Sequence, residues 1–498
     1  MSGTQSSYRQ IMKGTSIFGG VQVFNILVGI IKSKIIVVLL GPTGMGISGL
    51  FTSTTSLVSG LTNFGLGTSA VRNISEANTE GNKQRVSKVI TVLRRLVWIT
   101  GILGLTTVFI FAPWLSHLTF GNTEYTIAFR WLSITLLIDQ LAAGQRVLLQ
   151  GMRQLKYLAK ANVIGSFLGL LISVPLYYYY RVDGIVPALI SSSAIAMLIA
   201  WYFSSKIKTE QVTVNKKETI AEGKSMLSLG FMLSLSGLIT VATSYIIRAF
   251  ISRTGSLNDV GLYNAGFAII GSYVGMVFTA MGTDYYPRLS GVAKNNKQAN
   301  QLIQQQAEVA LLILGPILCV FIVFAHWAVV LLYSNKFVLI NDMIRWAALG
   351  MYFKAASRAI AFVFLAKGKS GLFFLNETLA NAYVLILNII GYKLYGLTGL
   401  GISFLLAYLF YFVQVYLITK RNYNFSYSRS FYTLISVQLF FGTGCFLVVN
   451  LLSTYMVYII GVILTIAICW FSLKELDKRI NLSEIIISFK NKRDGTNR

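Results

Sequence analysis

Long runs of apolar residues, each about the width of a bilayer when helical, alternate with short polar connections along the whole chain. An α-helix crosses a ~30 Å hydrocarbon layer in about 20 residues. Read at that length, the runs predict about fourteen helices. They fall near 15–40, 45–70, 87–112, 127–150, 158–180, 184–205, 226–250, 258–283, 307–333, 342–366, 372–395, 397–419, 431–450 and 455–473. The period-two alternation of an outer-membrane barrel is absent from these runs. No connection is long enough to hold a folded domain. The fold expected is therefore an all-α polytopic membrane protein.

The first run, Gly14 to Leu40, carries two lysines, Lys32 and Lys34, within FNILVGIIKSKIIVVLL. A cation at that depth costs a few kcal/mol if it faces lipid. One account is snorkelling to the nearer headgroup layer on lysine's long stem. The other is that at least one ammonium faces a wet cavity and meets an anion. Residues two apart are separated by about 200° around a helix, so the two lysines cannot face the same way.

Composition agrees with the pattern. The chain has 498 residues, 55% of them hydrophobic and 12% charged, with a mean hydropathy of +0.65. Soluble domains carry roughly a quarter charged residues. A net charge of +26 invites a nucleic-acid reading, but the distribution of the charge opposes it. One alternating set of connections, with the two terminal segments, holds 32 of the 43 Lys and Arg residues. The opposite set holds 4: Arg181, Arg253, Lys336 and Lys393. Under the positive-inside rule both ends of the chain are cytoplasmic. The first run is too long for a signal-peptide core and lacks a small-residue cleavage site, so no cleaved leader is expected. The C-terminal stretch from Lys474 reads as a short amphipathic helix on an anionic leaflet.

The remaining seven basic residues lie within spans: Lys32, Lys34, Arg130, Arg248, Arg345, Lys354 and Arg358. The acids at membrane depth are fewer, namely Asp139, Glu377 and, near an inner end, Glu308. A net positive interior calls for an anionic ligand or lipid. Arg130, Arg248 and Arg345 are equally explained by the outer headgroup layer. Lys354 and Arg358 are i,i+4 neighbours near the middle of a span. Glu377 on the following helix is a candidate partner for Arg358, which leaves Lys354 without an obvious one. The cationic candidates for a binding cavity are thus Lys32, Lys34, Arg248, Lys354 and Arg358. Asp139 and Glu377 are the candidates for coupling to a proton or sodium ion.

Residues 46–75 resemble 261–290 at a constant offset of 215: Gly46 matches Gly261, Gly67 matches Gly282 and Ser75 matches Ser290. At the same offset Lys32 and Lys34 bracket Arg248. Each segment is the second helix of a six-helix unit, so the repeats are parallel and related by an axis along the membrane normal. The organisation expected is an N-lobe over 1–205 (helices 1–6), a cytoplasmic linker over 206–225 and a C-lobe over 226–419 (helices 7–12). Helices 13–14 follow over 420–473, then a basic cytoplasmic tail over 474–498.

Catalytic constellations are missing from the sequence. His117 and His326 have no Cys, Asp or His at metal-ligand spacing, Cys319, Cys445 and Cys469 form no CxxC, and there is no Walker A sequence. No enzyme activity, metal or cofactor is expected.

The segment LLGPTGMGISGLFTSTTSLVSGLTNFGLGTSAVRNISEAN resembles the N-terminal signature of polysaccharide transporters, through its LGPxGxG turn, GLGTSAVR helix end and NISEAN tail. These are the O-antigen flippases of the multidrug/oligosaccharidyl-lipid/polysaccharide exporter superfamily. The resemblance implies a two-lobed transporter of the bacterial inner membrane. Its substrate would be a polyprenyl-pyrophosphate-linked oligosaccharide, an O-antigen or exopolysaccharide repeat unit, carried to the periplasmic leaflet by alternating access. A cationic central cavity and contact with other polysaccharide assembly proteins are implied as well. The alternatives are a multidrug or organic-cation antiporter of the same fold, which calls for acids in the cavity, and a membrane glycan polymerase or transferase.

Overall fold

In the computed structural model the residues described are 3–207, 210, 212–274, 278 and 285–480, and among them there are helices and turns but no strand. Ten described stretches are long and apolar enough to cross a membrane. Many large apolar side chains are exposed rather than buried, Phe440 at 70% and Ile127 at 66% among them. Water does not tolerate such a surface and lipid does. The chain is a multi-pass membrane protein.

The three longest of the ten stretches, at 39, 50 and 54 residues, are each about twice the length a bilayer needs or more, and each is broken within its length. Helix α1, Gly3–Thr62, breaks at Gly41 (φ 71°), with Pro42 directly after it. Positive φ costs glycine nothing, and proline withholds the next backbone donor. Leu155–Ser204 breaks at the short 3-10 turn Arg181–Gly184. Ser370–Tyr423 breaks at Tyr395 and Gly396 (φ 56°). The expected count of fourteen treats such halves separately and includes 258–283, of which 275–277 and 279–283, with Gly282 of the repeat, lie outside the described residues. The tail beyond Ile480 also lies outside them.

The chain divides into two compact units, Met1–Asn264 and Ala265–Arg498. They do not coincide with the division expected at 206–225, because the helix following the linker packs with the first unit. That unit contains α1, α2 (Leu66–Thr79), α3 (Lys83–Ile110), α4 (Ala112–Phe120), α5 (Thr126–Gly151), α6 (Leu155–Tyr180), α7 (Ile185–Ser204), α8 (Lys216–Thr254) and most of α9 (Leu257–Ala268). Small residues set the close approaches, as expected where lipid offers no hydrophobic drive between helices. Gly169 of α6 faces Ser192 of α7, and Gly144 of α5 faces Val97 of α3. At one end, Leu66, Ala70 and Ile74 of α2, Val89 and Leu93 of α3 and Met226 of α8 form one buried apolar cluster.

The second unit contains α10 (Tyr286–Val292), α11 (Asn296–Leu332), α12 (Asn341–Ala366), α13 (Ser370–Tyr423), α14 (Arg429–Leu451) and α15 (Thr454–Ile480). Its core is α12, whose alanines at 347, 348, 355, 356 and 359 are all buried. Helix α13 folds back on itself across its break: Gly391 meets Gly399, and the Ser403 hydroxyl donates to Leu387 O at 2.6 Å.

Candidate functional site

Both halves of α1 line a cavity of about 510 Å³ in the first unit. The first half contributes Gly29, Lys32, Ser33 and Ile36, and the second Met45, Ser48, Gly49, Thr52, Ser53 and Ser56. These are i, i+3, i+4, i+7 sets, one helical face each. Helix α8 closes the ring with Thr240, Val241, Ser244 and Arg248, and Leu189 and Asn264 complete it. The wall therefore carries two cations, seven hydroxyls and no carboxylate.

The two cations differ in how they are held. Arg248 Nε donates to Asn264 Oδ1 at 2.7 Å, its Nη1 donates to Ser244 O at 2.9 Å, and the guanidinium lies 5.6 Å from the Tyr263 ring centroid. That fixes the fork and leaves its other N–H groups for a ligand. Lys32 has no hydrogen-bond or ion-pair partner among the described residues. Lys34 is not among the lining residues, as the 200° separation requires. Thr52 and Ser53 donate to Ser48 O and Leu50 O, which leaves their oxygens as acceptors toward the cavity.

Glycine crossings flank this cavity. A Cβ placed on Gly46 would lie 2.0 Å from Leu257 O, and one on Gly261 would lie 1.8 Å from Pro42 O. The contact is reciprocal at the repeat offset, since 46 and 261 differ by 215 and so do 42 and 257. Toward the other end Gly60 faces Leu238, and Gly65 (φ 63°) lies against Gly230 O. There the chain turns between α1 and α2 with Phe64 also at positive φ, and the Phe64 ring lies 6.4 Å from that of Phe231.

Asp139 belongs to the first unit too, on α5, where its interacting groups are the Ser193 hydroxyl of α7 and Arg146. Arg146, at the inner end of the expected 127–150 span and one of the 32 basic residues assigned to the connections and termini, lies inside α5. Its seven-residue spacing from Asp139, two turns along one face, was the available signal.

Lys354, Arg358 and Glu377 lie in the second unit. Lys354 is not partnerless: its Nζ stands 5.3, 5.6 and 5.1 Å from the ring centroids of Phe278, Phe404 and Tyr408. Three aromatic faces satisfy that ammonium. Arg358 lies within electrostatic reach of Glu377 and beside the Tyr408 and Tyr411 phenols, but it makes no direct ion pair with Glu377, whose carboxylate instead accepts from Tyr411 OH at 2.5 Å. Asn376 Nδ2 donates to the same tyrosine oxygen at 3.2 Å, and Gln414 Nε2 donates to Asn376 Oδ1 at 2.6 Å. Among the described residues no group of three or more His, Cys, Asp or Glu is placed to hold a metal ion.

A family model described as polysaccharide biosynthesis protein matches residues 35–342. The lipid III flippases of Escherichia coli (strain K12) and Shigella flexneri are each 22% identical over 411 residues, covering 79% of this chain and 95% of theirs. Among solved structures, the lipid II flippase MurJ in an inward closed conformation superposes with a TM-score of 0.70 at 14% identity. That superposition covers 93% of this chain and 98% of that one. An inward-facing multidrug resistance transporter of the MATE family and MOP superfamily gives a TM-score of 0.62 at 16% identity, over 80% and 95% of the two chains.

Proposed function

The chain belongs to the polysaccharide biosynthesis protein family, and from that premise we propose that it is a flippase for a polyprenyl-pyrophosphate-linked oligosaccharide. It moves the saccharide head from the cytoplasmic to the periplasmic leaflet of the bacterial inner membrane by alternating access. The flippases among its relatives support this reading. The single observation that carries it is the cavity that joins an uncommitted Lys32 ammonium to a half-committed Arg248 fork, with hydroxyls and no acid around them.

A lipid diphosphate carries about two negative charges, and its head has ~30 Å of hydrocarbon to cross. Lys32 supplies a point charge and Arg248 a planar fork, and charge-assisted hydrogen bonds replace the hydration the phosphates lose. The lining hydroxyls solvate what the cations do not. The polyprenyl tail stays in lipid, so only the head needs a path through protein. The 32-to-4 division of basic residues supports cytoplasmic ends, and the 215-residue repeat supports the six-plus-six-plus-two organisation. Asp139 and Glu377 are assigned the coupling role, each beside a cation that senses its charge.

The MATE likeness favours a multidrug antiporter as the second reading. A cationic cargo calls for a carboxylate in the cavity wall, and the wall has none. The deciding experiment deletes the gene and follows the lipid-linked saccharide. Its accumulation on the cytoplasmic leaflet, reversed by the intact gene, fits the flippase. Normal surface polysaccharide together with a new sensitivity to organic cations fits the antiporter.

A further inference from the structure

Below the cavity, the first turns of α8 are clasped onto α3. Arg85 Nη1 meets Glu222 Oε1 at 3.1 Å, and Lys88 Nζ meets Glu218 Oε1 at 2.8 Å. Arg95 Nη1 donates to Val214 O at 3.0 Å and to Thr219 Oγ1 at 2.5 Å. The Lys88 hydrogen bond, with help from the Asn215 backbone N–H, holds the Glu218 carboxyl below its ordinary range. Asn215 and Glu218 form a capping box that starts α8 at this place. Immediately beyond the clasp, Met226 is fully buried and Gly230 meets Gly65 backbone to backbone. The ion pairs therefore fasten the segment of α8 whose withdrawal would part the Gly65–Gly230 crossing.

Arg85, Lys88 and Arg95 present three cations along the start of one helix. Opposite them Glu218 and Glu222, four residues apart on one face of α8, present two anions as neighbours. Two linked anionic centres are also what the diphosphate of the proposed substrate presents. The pairs are partly exposed, with side-chain accessibilities of 49% and 22% for Arg85 and Glu222 and 28% and 46% for Lys88 and Glu218. Surface pairs of this kind are weak enough for a competing anion to displace.

We infer that Arg85 and Lys88, with Arg95 beside them, form a docking site for the diphosphate head at the cytoplasmic mouth, the first two occupied in its absence by Glu222 and Glu218. Arrival of the head displaces the two carboxylates, frees α8 from α3 and opens the Gly65–Gly230 crossing toward the Lys32–Arg248 cavity. The latch thus opens in response to substrate. This rests on the flippase reading and on its cytoplasmic orientation of the 72–95 connection.

The test uses the full chain in inside-out membrane vesicles, with the three native cysteines changed to alanine and Ser56→Cys as a reporter within the cavity. An impermeant maleimide is applied from the cytoplasmic face. Inorganic pyrophosphate should speed labelling of the otherwise native clasp by roughly fivefold or more, the scale of one or two weak pairs. Glu218→Gln with Glu222→Gln should label that fast without pyrophosphate and gain nothing from it. Arg85→Gln with Lys88→Gln should likewise start fast and lose the response. The inference is overturned if pyrophosphate leaves the rate unchanged, or if sodium chloride at matched ionic strength does as much, since that is screening alone. Vesicles of raised phosphatidylglycerol content that respond in its place would assign the site to bulk lipid and also refute it. A chain that still restores surface polysaccharide in a deletion strain would show that only this inference, and not the flippase reading, has failed.

Discussion

Lys32→Ala is the perturbation that separates binding from folding most cleanly. In the folded protein the ammonium has no hydrogen-bond or ion-pair partner among the described residues, so its removal breaks no contact of that kind. Alanine is also the better helix former. Deleting an uncompensated cation from membrane depth relieves a desolvation cost, so membrane levels should hold or rise. The ligand loses one charge-assisted hydrogen bond, worth about 1.5–3 kcal/mol. At about 1.4 kcal/mol per decade, head-group binding should weaken roughly ten- to a hundredfold. Lys32→Arg keeps the charge and should retain part of the activity, whereas Lys32→Glu should abolish it. Lys34→Ala, outside the cavity wall, should do far less. The assay is surface polysaccharide restored to a deletion strain, normalised to membrane protein. Full restoration by Lys32→Ala, or loss of its protein from the membrane, would refute this reasoning.

Arg248→Ala should cost transport as much as Lys32→Ala or more, and should lower thermal stability as well, because Asn264 and Ser244 lose their donor; thermal unfolding in detergent checks the second half. Lys354→Ala should chiefly destabilise, by up to ~2 kcal/mol from a desolvated cation–π cluster, with transport per folded molecule little changed; a normal melting temperature with lost transport would return Lys354 to the binding role. Asp139→Asn and Glu377→Gln should flatten the pH dependence of transport if either acid couples it, and normal transport by both at every pH tested would remove both. The Glu218 carboxyl is depressed below 4.5 in the folded state, so its clasp contributes fully above that value. The contribution is lost as pH falls through the lowered value, and labelling of Ser56→Cys relative to a fully exposed reference cysteine at the same pH, which cancels the falling thiolate fraction, should rise over that window. Cysteines at Asn122 and Ser334 should label from the periplasm and those at Asn82 and Asn215 from the cytoplasm, the reverse pattern defeating the orientation.

The membrane class and most spans were legible because hydropathy is a one-dimensional signal. So was the statement that Lys32 and Lys34 diverge. Which one meets the cavity was not, since that depends on how α1 turns at Gly41 and where α8 lands. Arg146 was placed with the connection although the expected span 127–150 already contains it, because a cation at the end of a span reads as a headgroup-layer charge unless its partner Asp139 is considered with it. The partners of Lys354 come from residue 278 and from 404 and 408, one turn apart on α13, and no local pattern marks a cage assembled from two such distant places. Arg358 and Glu377 share a neighbourhood, as their depths suggest, but Tyr411 takes the carboxylate.

The crossing of Gly46 with Gly261 bears on how far the two repeats can diverge. Each glycine touches the carbonyl four residues ahead of its counterpart, Leu257 in one direction and Pro42 in the other. Reciprocity of that kind is the hallmark of an isologous interface, in which a surface meets its own copy across a two-fold axis. Two identical chains packed in this way would set one glycine against its own copy. Here the two positions are free to differ, yet neither carries a side chain. A bulkier residue on either side still strikes backbone, and no change in the other side relieves it. The two positions should therefore remain glycine independently in related sequences, with the rest of the repeat free to drift around them.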